Sequence, residues 1–99
     1  MLKYKTSKLF EKNVKKLKGK QLFNLLKKIE EICSDENLDR YKNLKNELEK
    51  YKRVHVNNSF VILFFEKNKI VHFVDYEHHD TIYKIDKTKL KKYSAMSFE

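Results

Sequence analysis

The chain has 99 residues, 40% of them hydrophobic, with 23 Lys and Arg against 14 Asp and Glu for a net charge of +9. That length holds one core and excludes a separate cofactor domain, while seven Phe and six Tyr supply enough apolar bulk that 37% charged residues do not imply disorder. The positive excess favours a polyanionic partner through counterion release, although Lys is also an ordinary surface residue.

A lone Cys33 excludes a disulfide framework or a CxxC metal site and points to a reducing compartment, expected to be the cytoplasm. No stretch approaches the ~20 apolar residues of a membrane span, so the chain is expected to be neither inserted nor exported. With no Pro, a single glycine at Gly19 and neither repeat nor linker, residues 1–99 read as one domain.

In chain order, Leu2 to Lys5 alternates apolar and basic residues and predicts a short strand, after which Thr6 or Ser7 can cap a helix. Phe10, Val14 and Leu17 recur at helical spacing until Gly19 breaks the run. From Gln21 to Cys33, Leu22, Leu25, Leu26, Ile29, Ile32 and Cys33 form one apolar stripe of a second helix, ended by Ser34-Asp35. Glu36 to Lys50 reads mostly as loop. Lys52 to Val56, Ser59 to Glu66 and Ile70 to Tyr76 are then β-branched and aromatic, with hairpin turns at Asn57-Asn58 and Lys67-Asn68-Lys69. Phe60 to Phe65 is apolar on both faces, as a central strand covered on both sides would be. Ile82, Tyr83 and Ile85 suggest an edge strand, and Asp86 to Tyr93 a basic helix. The expected fold is α+β: an N-terminal strand and a helical hairpin packed on a small antiparallel sheet.

The approach through Leu44, Leu48 and Tyr51 to Lys52-Arg53-Val54-His55-Val56, the strand Phe60 to Phe65, and the run Asp75-Tyr76-Glu77-His78-His79-Asp80-Thr81-Ile82-Tyr83 together carry a resemblance over nearly the whole length. The chain resembles the RelE/ParE toxin superfamily, in particular archaeal RelE-type and YafQ-type toxins of type II toxin–antitoxin systems. The resemblance implies a RelE-like fold and a ribosome-dependent endoribonuclease that cuts mRNA in the decoding site, held inactive by its antitoxin. His55 matches the histidine after the Tyr-basic pair of YafQ-type toxins, and His79 the histidine that those proteins use in cleavage. Tyr83 stands where RelE toxins keep a catalytic or stacking aromatic. Arg53 and Ser59 replace the two Asp of the YafQ pattern, and Glu77 and Val61 occupy positions where RelE relies on arginine. The chain thus matches neither subgroup cleanly and favours His-based chemistry over Arg-based chemistry.

The same residues carry a chemical reading of their own. RNA is cut when its 2'-hydroxyl attacks the adjacent phosphate, which requires a base for that hydroxyl, an acid for the leaving 5'-oxygen and a cation for the phosphorane charge. Two histidines titrating near neutrality supply acid and base, and a basic side chain supplies the cation. His79 is the leading acid or base, with His55 its counterpart or a phosphate ligand. Arg53, on the same strand face as His55, is suited to a forked contact with the scissile phosphate. Lys52, Lys87, Lys89, Lys91 and Lys92 are placed on distant phosphates of mRNA or ribosomal RNA, and Tyr83 on an extruded base. Each also has a structural reading: His55 held by a carbonyl, Tyr83 plugging the sheet, Arg53 solvated.

His78 and His79 beside Asp75, Glu77 and Asp80 also offer donors for a transition metal. Adjacent side chains on an extended segment point to opposite faces, and no third ligand sits at firm spacing, so no metal and no cofactor is expected. The implied partners are a RelB-like antitoxin whose acidic, partly disordered segment wraps the basic body, the ribosome and mRNA, with no membrane. The toxin alone is expected to be monomeric, and a heterotetramer through the antitoxin is open to the complex. The alternatives are a ParE-like DNA gyrase inhibitor, favoured if Arg53, His55, His79 and Tyr83 lie far apart, and a catalytically inactive RNA-binding relative.

Overall fold

A computed structural model describes residues 2–35, 37–44, 50–84 and 87–98. The elements run β1 (Lys3–Thr6), α1 (Lys8–Val14), α2 (Gly19–Cys33), a 3-10 turn (Leu38–Arg40), β2 (Lys42–Asn43), β3 (Lys52–Val56), β4 (Phe60–Lys67), β5 (Ile70–His78), α3 (His79–Tyr83) and α4 (Lys87–Ser94). They form a five-stranded mixed sheet in the order β1-β5-β4-β3-β2. Strands β2 to β5 are antiparallel, and β1 returns from the far end of the chain to lie parallel to β5.

Local chemistry explains most boundaries. Ser7 caps α1 by accepting the Phe10 amide at 2.9 Å, and its own hydroxyl donates to the Val74 carbonyl at 2.6 Å, so the cap also ties α1 to β5. Gly19 takes φ +56 at the first residue of α2, a left-handed conformation that suits glycine. Asn57, Asn58, Asn68 and Lys69 all have positive φ, which lets the β3–β4 and β4–β5 hairpins turn with the twist of their strands.

Strand β4 is central and buried on both faces. Toward α1 and α2, Ile62 and Phe64 pack with Phe10, Leu25, Ile29, Ile32, Val71 and Phe73. Toward α3, α4 and the C-terminal segment, Val61 and Leu63 pack with Tyr51, Val74, Ile82 and Tyr93. The two layers follow from period-two alternation in an apolar strand.

Three expectations need correction. Leu26, assigned to the buried stripe of α2, is 54% exposed, and neighbouring Phe23 is 62% exposed, because the face that reaches the sheet is Leu25, Ile29, Ile32 and Cys33. The segment read as loop before β3 contains the two-residue strand β2, paired through Lys42 with Arg53 and Asn43 with Lys52; Leu48 lies outside the described residues. The edge strand expected at Ile82-Tyr83-Ile85 is replaced over 79–83 by helix α3, with Ile82 turned inward at 1% exposure, and Ile85 lies outside the described residues.

Candidate active site

The site lies on the α3/α4 side of the sheet, and a bulge puts it there. The β4–β5 register pairs Leu63 with Asp75 but Phe64 with Phe73, so Val74 is an extra residue on β5. An extra residue reverses the alternation beyond it. Val71 and Phe73 face α1 and α2, whereas Asp75 and Glu77 face the opposite side with Leu63 and Val61. Across the next ladder Leu63 pairs with Arg53 and Val61 with His55, so two rows cross the sheet on one face: Arg53, Leu63, Asp75 and His55, Val61, Glu77. Arg53 and His55 stand roughly 6.8 Å apart along β3, two residues of strand rise.

His79 joins this face at the first residue of α3. Its backbone N–H donates to the Ser59 carbonyl at 2.8 Å and its Nδ1 lies 3.0 Å from the same oxygen. A carbonyl only accepts, so Nδ1 carries a hydrogen and the ring is fixed with Nε2 outward. Nε2 stands 3.1 Å from Asp80 Oδ1. The His79 ring centroid lies 6.3 Å from that of His55 and 4.5 Å from that of His78, which stacks on it at 29°. His78 caps α3 by accepting the Asp80 amide on Nδ1 at 3.2 Å.

One row along the sheet from His55, Asp75 is fully buried, with 0% exposure. Its Oδ1 accepts from Asn13 Nδ2 and from the Tyr76 amide, both at 2.8 Å, and its Oδ2 accepts from the Tyr93 hydroxyl at 2.5 Å, with Lys89 Nζ at 3.9 Å. Burial, reinforced by the neighbouring Asp75 carboxyl, pushes the Tyr93 phenol far above the ordinary tyrosine range. Asp75 thereby clamps β5, α1 and α4 together. Beside the site, Asn24, Lys27, Lys28 and Glu31 of α2 and His55 to Asn58 line an open cleft of about 420 Å³.

The sequence candidates divide accordingly. His55 and His79 are brought together, with Arg53 on the same face. Lys52 points to the other face, where Nζ donates to Asn43 Oδ1 at 3.0 Å and meets Asp39 Oδ1 at 3.9 Å, and its side chain is only 13% exposed. Lys89 is half-buried against Asp75 and Tyr93, while Lys91 and Lys92 are exposed on α4. Tyr83 closes α3 and Lys87 opens α4, but their side chains fall outside what the structure describes. Sequence reasoning missed Asp80 and the Ser59 carbonyl as the groups that orient His79. An Asp one position after a histidine at a helix start was the available signal. Among the described residues no helix is long and apolar enough to cross a membrane.

A mixed sheet of this order with a helical hairpin on one face is the architecture of RelE-type toxins. A chain of the intact E. coli RelBE toxin–antitoxin complex superposes with TM-score 0.65 at 12% identity, covering 79% of this chain and 96% of that one. The crystal structure of E. coli YafQ gives 0.63 at 17% identity, covering 84% and 99%. At those identities the likeness shows the fold alone. No family model matches the chain. In sequence, 87 residues are 49% identical to a protein of Methanocaldococcus jannaschii that bears the toxin name RelE4, covering 86% of this chain and 83% of that protein. The chain belongs to the RelE family of toxins from toxin–antitoxin systems.

Proposed function

We propose that the chain is a single-domain, cytoplasmic, ribosome-dependent endoribonuclease that cuts mRNA by acid-base chemistry and is neutralised by a RelB-like antitoxin. The observation that carries this reading is the approach of His55 and His79, 24 positions apart in sequence, to 6.3 Å between ring centroids on the face that also holds Arg53. One imidazole takes the proton of the 2'-hydroxyl as its oxygen bonds to phosphorus. The other gives a proton to the 5'-oxygen as its bond to phosphorus breaks, leaving a 2',3'-cyclic phosphate and a free 5'-hydroxyl. Arg53 holds the phosphate oxygens as charge accumulates on them. The exposed Lys91 and Lys92, with Lys87, extend the contact to more distant phosphates, and Tyr83 holds a base by stacking. Lys52, paired with Asp39 on the other face, contributes to the net charge more than to this site.

The antitoxin reading draws on the basic surface and on the toxin–antitoxin complex among the structural relatives. A partner segment rich in Asp and Glu complements a charge of +9, and the toxin alone is taken as monomeric, with a heterotetramer formed through the antitoxin.

The test is mRNA cleavage on a translating ribosome, with a chelator selective for transition ions so that Mg²⁺ stays with the ribosome. Cleavage is expected to survive chelation and to fall by about 10²-fold or more in His79→Ala and in Arg53→Ala. No cleavage, or cleavage indifferent to both residues, overturns the reading and moves the weight to gyrase inhibition or to RNA binding without catalysis.

A further inference from the structure

We propose that His78, His79 and Asp80 form a binding site for a divalent first-row transition ion, with Zn²⁺ the expected occupant. One ligand atom from each of the three lies within 4.8 Å of the others, the tightest gathering of metal-ligating side chains among the described residues. Two consecutive histidines on a continuous strand would point to opposite faces. Here β5 ends at His78, which caps α3 with φ −59 and ψ 142, and His79 is already helical, so the two rings stack 4.5 Å apart and Asp80 folds back over both.

The hydrogen bonding of His79 is that of a prepared ligand. Its Nδ1–H is held by the Ser59 carbonyl, the kind of second contact that fixes the tautomer and aims the other nitrogen of a metal-bound histidine. That nitrogen, Nε2, faces Asp80 Oδ1 at 3.1 Å, and His78 Nδ1 lies 3.8 Å from Asp80 Oδ2. A cation joins His79 Nε2 to Asp80 Oδ1, as a proton does in an ion pair or as a metal ion does by ligation; His78 Nδ1 already accepts the Asp80 amide at 3.2 Å, so ligation through that atom exchanges the capping bond for a metal bond. Two imidazoles and one carboxylate suit Zn²⁺, Co²⁺, Ni²⁺ or Cu²⁺ and disfavour Mg²⁺ and Ca²⁺, which take oxygen ligands.

Ligands about 2.1 Å from a tetrahedral ion stand roughly 3.4 Å apart, so the widest pair must close by about 1.4 Å. The Asp80 side chain is 65% exposed and that of His78 41% exposed, which leaves both room to turn without disturbing the core. The remaining position of a three-ligand site is open to water. If the nuclease reading holds, an ion on His79 Nε2 occupies the atom that handles the proton, so loading the site silences cleavage.

The test is a calorimetric titration of the metal-stripped full chain with Zn²⁺, together with the visible absorption of added Co²⁺, in the absence of RNA. The wild type and His72→Ala are expected to bind one ion per chain; His72 lies six residues back along β5, roughly 20 Å away. His78→Ala and Asp80→Asn are expected to weaken binding at least tenfold with an unchanged circular dichroism spectrum. No saturable binding by the wild type, or affinity unchanged in both variants, overturns the site. Neither result touches the cleavage experiment, which is run under chelation, and loss of cleavage there leaves this titration standing.

Discussion

Tyr93 of α4 donates its hydroxyl to Asp75 of β5 at 2.5 Å in a place where Asp75 has no contact with solvent. The bond fastens the C-terminal helix to the strand that leads into His79, and it stands on the face that the bulge at Val74 created. Tyr93→Phe keeps the ring and removes the donor, leaving a buried carboxyl oxygen short of a partner. The expected loss is about 2 to 3 kcal/mol of unfolding free energy, read as a lower denaturant midpoint at unchanged slope.

Alkaline pH probes the same bond. The Tyr93 phenol is raised by burial and by Asp75, and Tyr76 is raised by burial, so neither ionises in the folded chain where a free tyrosine does. Their contribution to stability is complete below about pH 10, the unfolded value, and is lost as pH rises above it. Denaturation at pH 8 and pH 11 is expected to show this loss, and Tyr93→Phe is expected to show a smaller one. Equal losses in the two proteins would contradict the assignment.

His72 works at the other end of the scale. It stacks on Phe65 with ring centroids 4.7 Å apart, and burial lowers its pKa below the ordinary histidine value. The unfolded chain therefore binds a proton more readily, so stability is complete above about pH 6.5 and declines as pH falls through the native value. Replacing His72 with Phe preserves the stacking and is expected to flatten this decline between pH 7 and pH 5 in thermal melts.

Lys69 is the one non-Asn side chain among the described residues with positive φ, at 62°. A Cβ in that conformation is strained, so Lys69→Gly is expected to stabilise the chain by about 0.5 to 1 kcal/mol, the relief exceeding the added freedom of the unfolded state. Asn68→Gly, at φ 54°, should gain less because Asn tolerates this region better. A Lys69→Gly protein no more stable than its parent in chemical denaturation would refute this account of the β4–β5 turn.

His55 is exposed on β3, so truncating it removes chemistry with little packing, whereas the His79 ring is also held by the Ser59 carbonyl and stacked on His78. His55→Ala is expected to change the denaturant midpoint by less than about 0.5 kcal/mol equivalent while lowering cleavage on the ribosome about 10²-fold. A drop in activity that follows a drop in stability would make His55 a structural residue.

Local physics made much of this legible in advance. Ser7 is a cap because its hydroxyl meets an unpaired amide three residues on, whatever the rest of the chain does. The period-two strands, the Asn-rich turns and the doubly apolar Phe60 to Phe65 are likewise properties of neighbouring residues. Strand β2 was not legible, since two residues of Lys and Asn extend only because β3 offers them a ladder. Nor was α3, where Thr81 and Ile82 favour strand locally but His78 caps a helix and Ile82 finds a buried slot under it.

The sequence by itself determined most element types, β2 and α3 excepted, along with the layering of the core, the basic character of the surface and the inventory of histidines from which any site had to be made. Which of those side chains meet was decided only by tertiary structure. His55 reaches His79 through the registers of β3 on β4 and β4 on β5, and the carbonyl that orients His79 belongs to Ser59 in the β3–β4 turn. Asp75 faces Tyr93 because one extra residue at Val74 turns β5 over. Register and bulge are settled by which pairing buries the most apolar surface with its backbone bonds satisfied, and that is a property of the folded whole, not of any window of the chain.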